Sequence, residues 1–178
     1  MLYLKEEDAI QHITLSRIQT RDYVKEFFVG YGRNDDVTYF DSLVDCLWAC
    51  DAIPDVKKVV HINAGTYDVL DELGGMEHVN QYTYPDTTHY DEGVQPWLTN
   101  IHIIGHGQVI LNFNLDDSVE FAQYWLFSCL NVRGNVEIEN IEIHSSNCRY
   151  AIHDESSSNF LNTIHKYKNV RCYQNVYA

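Results

Sequence analysis

One short sequence pattern recurs in the second half of the chain and limits the folds it can adopt. The pattern is Asn-(Ile/Val)-x-(Ile/Cys), and it begins at Asn100, Asn140 and Asn169. Asparagine tolerates the left-handed backbone conformation at a tight corner and can hydrogen-bond to its counterpart one coil away. The apolar residues that follow would then point into a core shared by stacked coils. The repeat therefore favours a β-solenoid over a sandwich or a barrel, in which three such matches would be coincidental.

Short β-prone runs surround this repeat, and one helical pattern precedes them. The runs are residues 59–62, 101–104, 109–113, 119–127 and 136–143. Residues 40–52 instead carry apolar side chains at helical spacing, with Pro54 behind them and a capping-box spacing between Thr38 and Asp41 in front. An amphipathic helix needs an apolar surface to cover. We therefore predict an all-β chain whose single helix caps the N-terminal end of the solenoid.

Composition and charge exclude several classes of protein. The 178 residues suit one domain, and 45% of them are hydrophobic, as in a globular core. The net charge is −14, and no Lys or Arg occurs between Lys58 and Arg133, so we expect no nucleic-acid partner. The apolar runs fall far short of the ~20 residues that span a bilayer, and the acidic N-terminus does not resemble a signal peptide. Five cysteines without a CxxC pair indicate free, buried thiols.

Several segments in order resemble the right-handed parallel β-helix proteins of the pectin-lyase-like superfamily. They are Val29-Gly30-Tyr31-Gly32, the predicted helix, residues 59–67 (VVHINAGTY) and residues 100–107 (NIHIIGHG). The resemblance covers residues 28–178 and implies a right-handed parallel β-helix with a carbohydrate as its usual ligand. Residues 147–155 and 165–169 resemble β-helix proteins of phage and prophage tails more than they resemble pectin esterases.

The resemblance also implies a domain organisation and a location. We divide the chain into an N-terminal arm or adaptor segment, residues 1–26, and the N-terminal part of a β-helix domain, residues 27–178. Solenoid ends need protection against edge pairing, yet no polar cap follows Asn169, so we expect the domain to continue in a partner or a longer chain. A tail protein of this kind would be made in the cytoplasm, act on the virion or outside the cell, and assemble as a homotrimer or a larger tail structure.

Two groups of residues are candidate contacts for a polysaccharide or cell-surface glycan. The first belongs to the long excursion of residues 71–100, where rings can stack on sugars and carboxylates can accept hydrogen bonds from hydroxyl groups. It consists of Tyr82, Tyr84, Tyr90, Asp91 and Trp97. The second is His153, Asp154 and Glu155, which could support acid–base chemistry if the backbone turns there, since strand neighbours alternate sides. Loop packing or a subunit contact explains the first group equally well, and a polar turn explains the second.

The expected role is binding without an assigned catalytic activity. None of the catalytic acids and arginines of pectin esterases or lyases can be matched to this chain, although an esterase- or lyase-like enzyme and a purely structural spacer remain alternatives. We expect no metal or cofactor. His102 and His106 are too far apart on a strand for one ion. Asp116, Asp117 and Glu120 could bind calcium, but a solvated acidic loop explains them as well.

Overall fold

The computed structural model describes residues 24–81, 95–116, 127–154 and 163–175. These ranges contain nine strands and three short helices, and the all-β prediction is confirmed. The elements are β1 Val24–Val29, β2 Tyr39–Phe40, α1 Leu43–Asp51, β3 Lys57–Asp68, α2 Val69–Glu72, α3 Gly75–Val79, β4 Trp97–Leu98, β5 Ile101–Asn114, β6 Ser128–Val132, β7 Val136–Ser146, β8 Tyr150–Asp154 and β9 His165–Asn175.

The described strands form two parallel sheets. The larger has the order β2-β1-β3-β5-β7-β9, and the smaller has the order β4-β6-β8. From β4 to β9 the chain alternates between them, placing one strand in the small sheet and the next in the large one. Each strand then pairs in parallel with the strand two places along the chain.

The predicted β-runs supply the core of the protein. The runs at 101–104 and 109–113 belong to one strand, β5, and the run at 136–143 lies in β7. Alternate residues of these strands are buried, including Ile103, Phe113 and Ile138. This period-2 burial is the pattern of strands with one face on a core. The run at 119–127 lies outside the described residues except for Phe127, which is fully buried.

Two asparagines of the repeat occupy equivalent corners, as predicted. Asn140 and Asn169 have left-handed φ angles of 58° and 52°. The side-chain amide of Asn169 donates a hydrogen bond to Oδ1 of Asn140 at 3.1 Å, and the next residues, Ile141 and Val170, are direct strand partners. The two corners therefore stack with their apolar neighbours in register.

Asn100 does not join this stack. Its φ is also left-handed, at 47°, but its Oδ1 accepts a hydrogen bond at 3.4 Å from Asn135, which begins a further match to the repeat pattern, Asn135-Val136-Glu137-Ile138. This contact follows from the pairing of the next residues, Ile101 and Val136, whereas the pairing of β5 with β7 shifts later, between Ile104 and Ile110. A side chain at Gly105 would overlap the carbonyl oxygen of Asn140, so only glycine fits where β5 bulges.

Helix α1 begins later than the sequence indicates. The predicted cap, Thr38, instead lies in a turn, where its N–H donates to the carboxylate of Asp35 at 2.7 Å. The N-cap of α1 is Ser42, whose hydroxyl accepts from the N–H of Asp45 at 3.1 Å, and Phe40 belongs to β2. Four residues expected on its apolar face, Leu43, Val44, Leu47 and Cys50, are nevertheless buried, and Cys46 is buried with them.

Strand β1 crosses the predicted boundary between the N-terminal arm and the domain, which was placed between residues 26 and 27. Strand β1 begins at Val24, and its first three residues already pair with β3, including Glu26 with Val59. Its inward residues Phe27 and Val29 are fully buried. Residues from Val24 onward are therefore part of the large sheet.

Replacement of Asn140 by valine should lower the free energy of unfolding by about 1–2 kcal/mol, because a β-branched residue disfavours the left-handed conformation and cannot bond to Asn169. Chemical denaturation measures this change. Asn112→Val is the matched control, since Asn112 lies in β5 outside the set of left-handed residues. Equal destabilisation by the two substitutions would contradict the special role of the corner.

Candidate ligand-binding surface

The structure describes only part of the predicted ligand site. Trp97, His153 and Asp154 lie within the described residues. The remaining candidates, Tyr82, Tyr84, Tyr90, Asp91 and Glu155, lie outside them, as do Asp117 and Glu120 of the calcium hypothesis.

Trp97 and His153 come from different predicted groups, and the small sheet brings them together. Strand β6 separates β4 from β8, and Asn131 of β6 is the register partner of both Trp97 and His153. Alternation along each strand therefore directs both side chains to one face. Their ring centroids are 5.4 Å apart.

Asp154 contacts two side chains of β9. Its Oδ2 lies 2.6 Å from Nδ1 of His165 and accepts a hydrogen bond from the hydroxyl of Tyr167 at 3.0 Å. Burial, followed by the charge of Asp154, raises the pKa of Tyr167. Asp154 thus ties β8 to β9, and the described contacts do not assemble His153 and Asp154 into an acid–base pair.

Three residues that the sequence did not single out complete this surface. The guanidinium of Arg133 lies 3.6 Å from the ring centroid of Trp97. Tyr150 is 40% exposed, and its ring centroid is 5.3 Å from that of His153, while the guanidinium of Arg149 lies 4.9 Å from the Tyr150 ring. We call these five residues, Trp97, Arg133, Arg149, Tyr150 and His153, the Trp97 surface.

A sequence signal for the arginines did exist. Arg133 is the first Lys or Arg after Lys58, and Arg149 is the next. The chain has a net charge of −14, and these two residues follow a long segment without any Lys or Arg. Such isolated basic residues indicate a specific contact or binding role. What the sequence lacked was the alignment of β4, β6 and β8, which places Arg133 against Trp97.

A half-buried carboxylate lies beside the backbone of Trp97. The backbone N–H of Trp97 donates to the carboxylate of Asp51, at the end of α1, and Lys58 and Arg133 lie close enough to favour the charged form. Burial nevertheless dominates and raises the pKa of Asp51. Helix α1 therefore anchors the short strand β4 and, with it, one side of the Trp97 surface.

The outward face of the large sheet carries a second cluster of rings. Phe28 stacks on Tyr39 and on His61, with ring centroids 5.1 and 5.0 Å apart. Nδ1 of His61 lies 2.9 Å from Nε2 of His106, so one of the two nitrogens donates to the other. Burial, and then the neighbouring His106, lower the pKa of His61, which favours neutral imidazoles here.

A third cluster lies beside these rings and faces a groove. Nε2 of His102 is 3.1 Å from Oε1 of Glu139, and one ligand atom from each of His102, Glu137 and Glu139 falls within 4.8 Å of the others. The adjacent groove has a volume of about 430 Å³ and is lined by His102 and Glu137 together with Asn100 and Asn135. His102 and His106, paired in the sequence argument, have different partners.

The cysteines are free, and four of the five are buried. Burial raises the pKa of Cys148 to about 11 and that of Cys129 well above its usual range. Cys172 of β9 is exposed, although partial burial still raises its pKa. These environments suppress the thiolate, so they favour packing over nucleophilic roles.

Iodoacetamide at about pH 8 should label Cys172 first and leave the four buried thiols largely unmodified, because alkylation requires an accessible thiolate. Peptide mass spectrometry after timed quenching identifies the labelled residues. Denatured protein, in which all five cysteines should react, is the control. Rapid labelling of Cys129 or Cys148 in the native protein would contradict their inward packing.

Comparisons with protein-family models, curated proteins and solved structures give no match to this chain. The Trp97 surface therefore has to be interpreted from its own chemistry. None of the helices in the described ranges is long and apolar enough to cross a bilayer.

Proposed function

We propose that the chain is a right-handed parallel β-helix of the pectin-lyase-like kind, with α1 as its N-terminal cap. The alternation of strands between two parallel sheets from β4 to β9 supports this winding, since one strand from each sheet would make one coil. The 29-residue separation of Asn140 and Asn169 lies within the usual range of solenoid repeats, about 20–50 residues. Crossover connections between parallel strands are right-handed in about 98% of cases.

The proposed activity is the binding of a cell-surface polysaccharide through the Trp97 surface. The observation that supports this proposal is a row of side chains in contact. Arg133 lies against Trp97, Trp97 lies beside His153, and His153 lies beside Tyr150. Flat rings offer apolar faces to the C–H groups of a sugar, as aromatic anchors do at other interfaces. A contiguous, partly exposed row of rings fits an extended polymer better than a compact ligand.

The two arginines indicate that the polysaccharide is anionic. Guanidinium groups bind carboxylates through paired hydrogen bonds, and here they lie on a chain that is otherwise strongly acidic. Acidic regions elsewhere would repel such a polymer, so Arg133 and Arg149 would direct it to this face. A uronic-acid-containing polysaccharide combines the carboxylates and sugar rings that the surface would recognise.

The resemblance to phage and prophage tail proteins supports a role on a virion or outside the cell, in a homotrimer or larger tail assembly. The residues that precede β1 would then be the adaptor segment. A polysaccharide-active enzyme, esterase- or lyase-like, is the alternative. The carboxylate of Asp154 is engaged by His165 and Tyr167, which favours binding over acid–base catalysis.

Trp97→Ala and Tyr150→Ala should each weaken binding to polygalacturonate about tenfold or more, through loss of a stacking face. Arg133→Gln should reduce the preference for this polymer over neutral dextran. Binding to immobilised polymers measures both effects, and circular dichroism monitors folding. Tyr173→Ala is the matched control, because Tyr173 is 53% exposed but lies on the large sheet.

Three outcomes would contradict the proposal. Release of reducing ends, unsaturated products or ester groups from the polymer would favour the enzyme. Absence of binding to a panel of charged and neutral polysaccharides would favour the structural spacer. Binding that Trp97→Ala and Tyr150→Ala both leave intact would place the ligand elsewhere on the chain.

A further inference from the structure

We propose that His102, Glu137 and Glu139 form a binding site for a divalent transition-metal ion, and that Zn²⁺ suits the site best. The three side chains lie on the outward face of the large sheet, one from β5 and two from β7. His102 is directly paired with Glu137, and Ile104 is paired with Glu139, so the imidazole faces one glutamate and is diagonal to the other. This proposal does not depend on the polysaccharide ligand.

The distances suit a single ion. Zinc binds histidine nitrogen at about 2.0–2.1 Å and carboxylate oxygen at about 2.0–2.2 Å, so two ligand atoms on one tetrahedral ion are roughly 3.3 Å apart. Nε2 of His102 and Oε1 of Glu139 are already 3.1 Å apart. Because all three ligand atoms lie within 4.8 Å of one another, modest rotation of the Glu137 side chain would complete the set.

The donor chemistry selects among ions. Calcium takes six to eight oxygen ligands, whereas one of the three donors here is an imidazole nitrogen. Zinc accepts mixed nitrogen and oxygen ligands, and three protein ligands leave a fourth position for water or a ligand. His102 and Glu137 both line the groove of about 430 Å³, which provides room at that position.

Two lysines of β9 supply the two glutamates with the positive charge that a bound ion would otherwise provide. Lys168 donates to Glu139 at 2.9 Å, and Lys166 donates to Glu137 at 3.5 Å. Their side chains are 74% and 61% exposed, so each can move into solvent when an ion binds. The lysines should therefore compete with the metal, and removal of Lys168 should tighten its binding.

Calorimetric titration with Zn²⁺, on protein purified without a histidine tag, tests the site. We expect one ion per chain, with affinity lowered about tenfold or more in His102→Asn and in Glu139→Gln. Two controls on the same strands should retain wild-type affinity. His106→Asn removes another outward histidine of β5, and Glu142→Gln removes another β7 glutamate that pairs with a cation of β9, Arg171.

Lys168→Met supplies a second readout, since it should strengthen Zn²⁺ binding and increase the rise in thermal midpoint that the ion produces. A simple surface ion pair would show neither effect. Absence of Zn²⁺ binding would overturn the site, as would equal affinity for Ca²⁺. Binding that survives His102→Asn but is lost in His106→Asn would assign the ion to the His61–His106 pair and also overturn the proposal.

Discussion

Parallel pairing between strands that lie two places apart along the chain is the constraint on which the rest of the structure depends. Where β7 is in register with β5 and β9, an outward side chain is aligned with its counterparts on the two neighbouring strands. His102, Glu137 and Lys166 form one such row. The small sheet aligns Trp97, Asn131 and His153 in the same way. Both candidate sites are therefore consequences of register, and neither is formed within a single segment of sequence.

The charge pattern follows the same rule. The acids of β7 face cations of β9, with Glu139 to Lys168 at 2.9 Å and Glu142 to Arg171 at 3.0 Å. The hydrogen bond from Lys168 lowers the pKa of Glu139, and the same bond raises the pKa of Lys168. Exposed ion pairs contribute little stability each. These pairs instead favour the correct strand register, because a slip of β9 by one residue would separate all three cations from their glutamates together.

The sequence predicts the strands, their buried faces and the corner at Asn140 and Asn169, because these depend on local periodicity and backbone preference. The partner of Asn100 was missed because Asn135, which begins a further match to the same pattern only five residues before Asn140, was not recognised as a repeat position. The start of α1 was missed because Asp35 takes Thr38 into a turn. Arg133 was missed because its contact with Trp97 exists only once β4 is paired with β6.

Disulfide cross-linking tests the register most directly. Glu142 and Arg171 are partners on adjacent strands, and neighbouring parallel strands lie about 4.8 Å apart, within the 4.4–6.8 Å range of Cα distances that disulfides span. In a Cys172→Ser background, Glu142→Cys with Arg171→Cys should therefore form an intrachain disulfide under mild oxidation. Glu142→Cys with Lys168→Cys, three residues out of register, should remain reduced. Faster cross-linking of this second pair would contradict the register of β7 and β9.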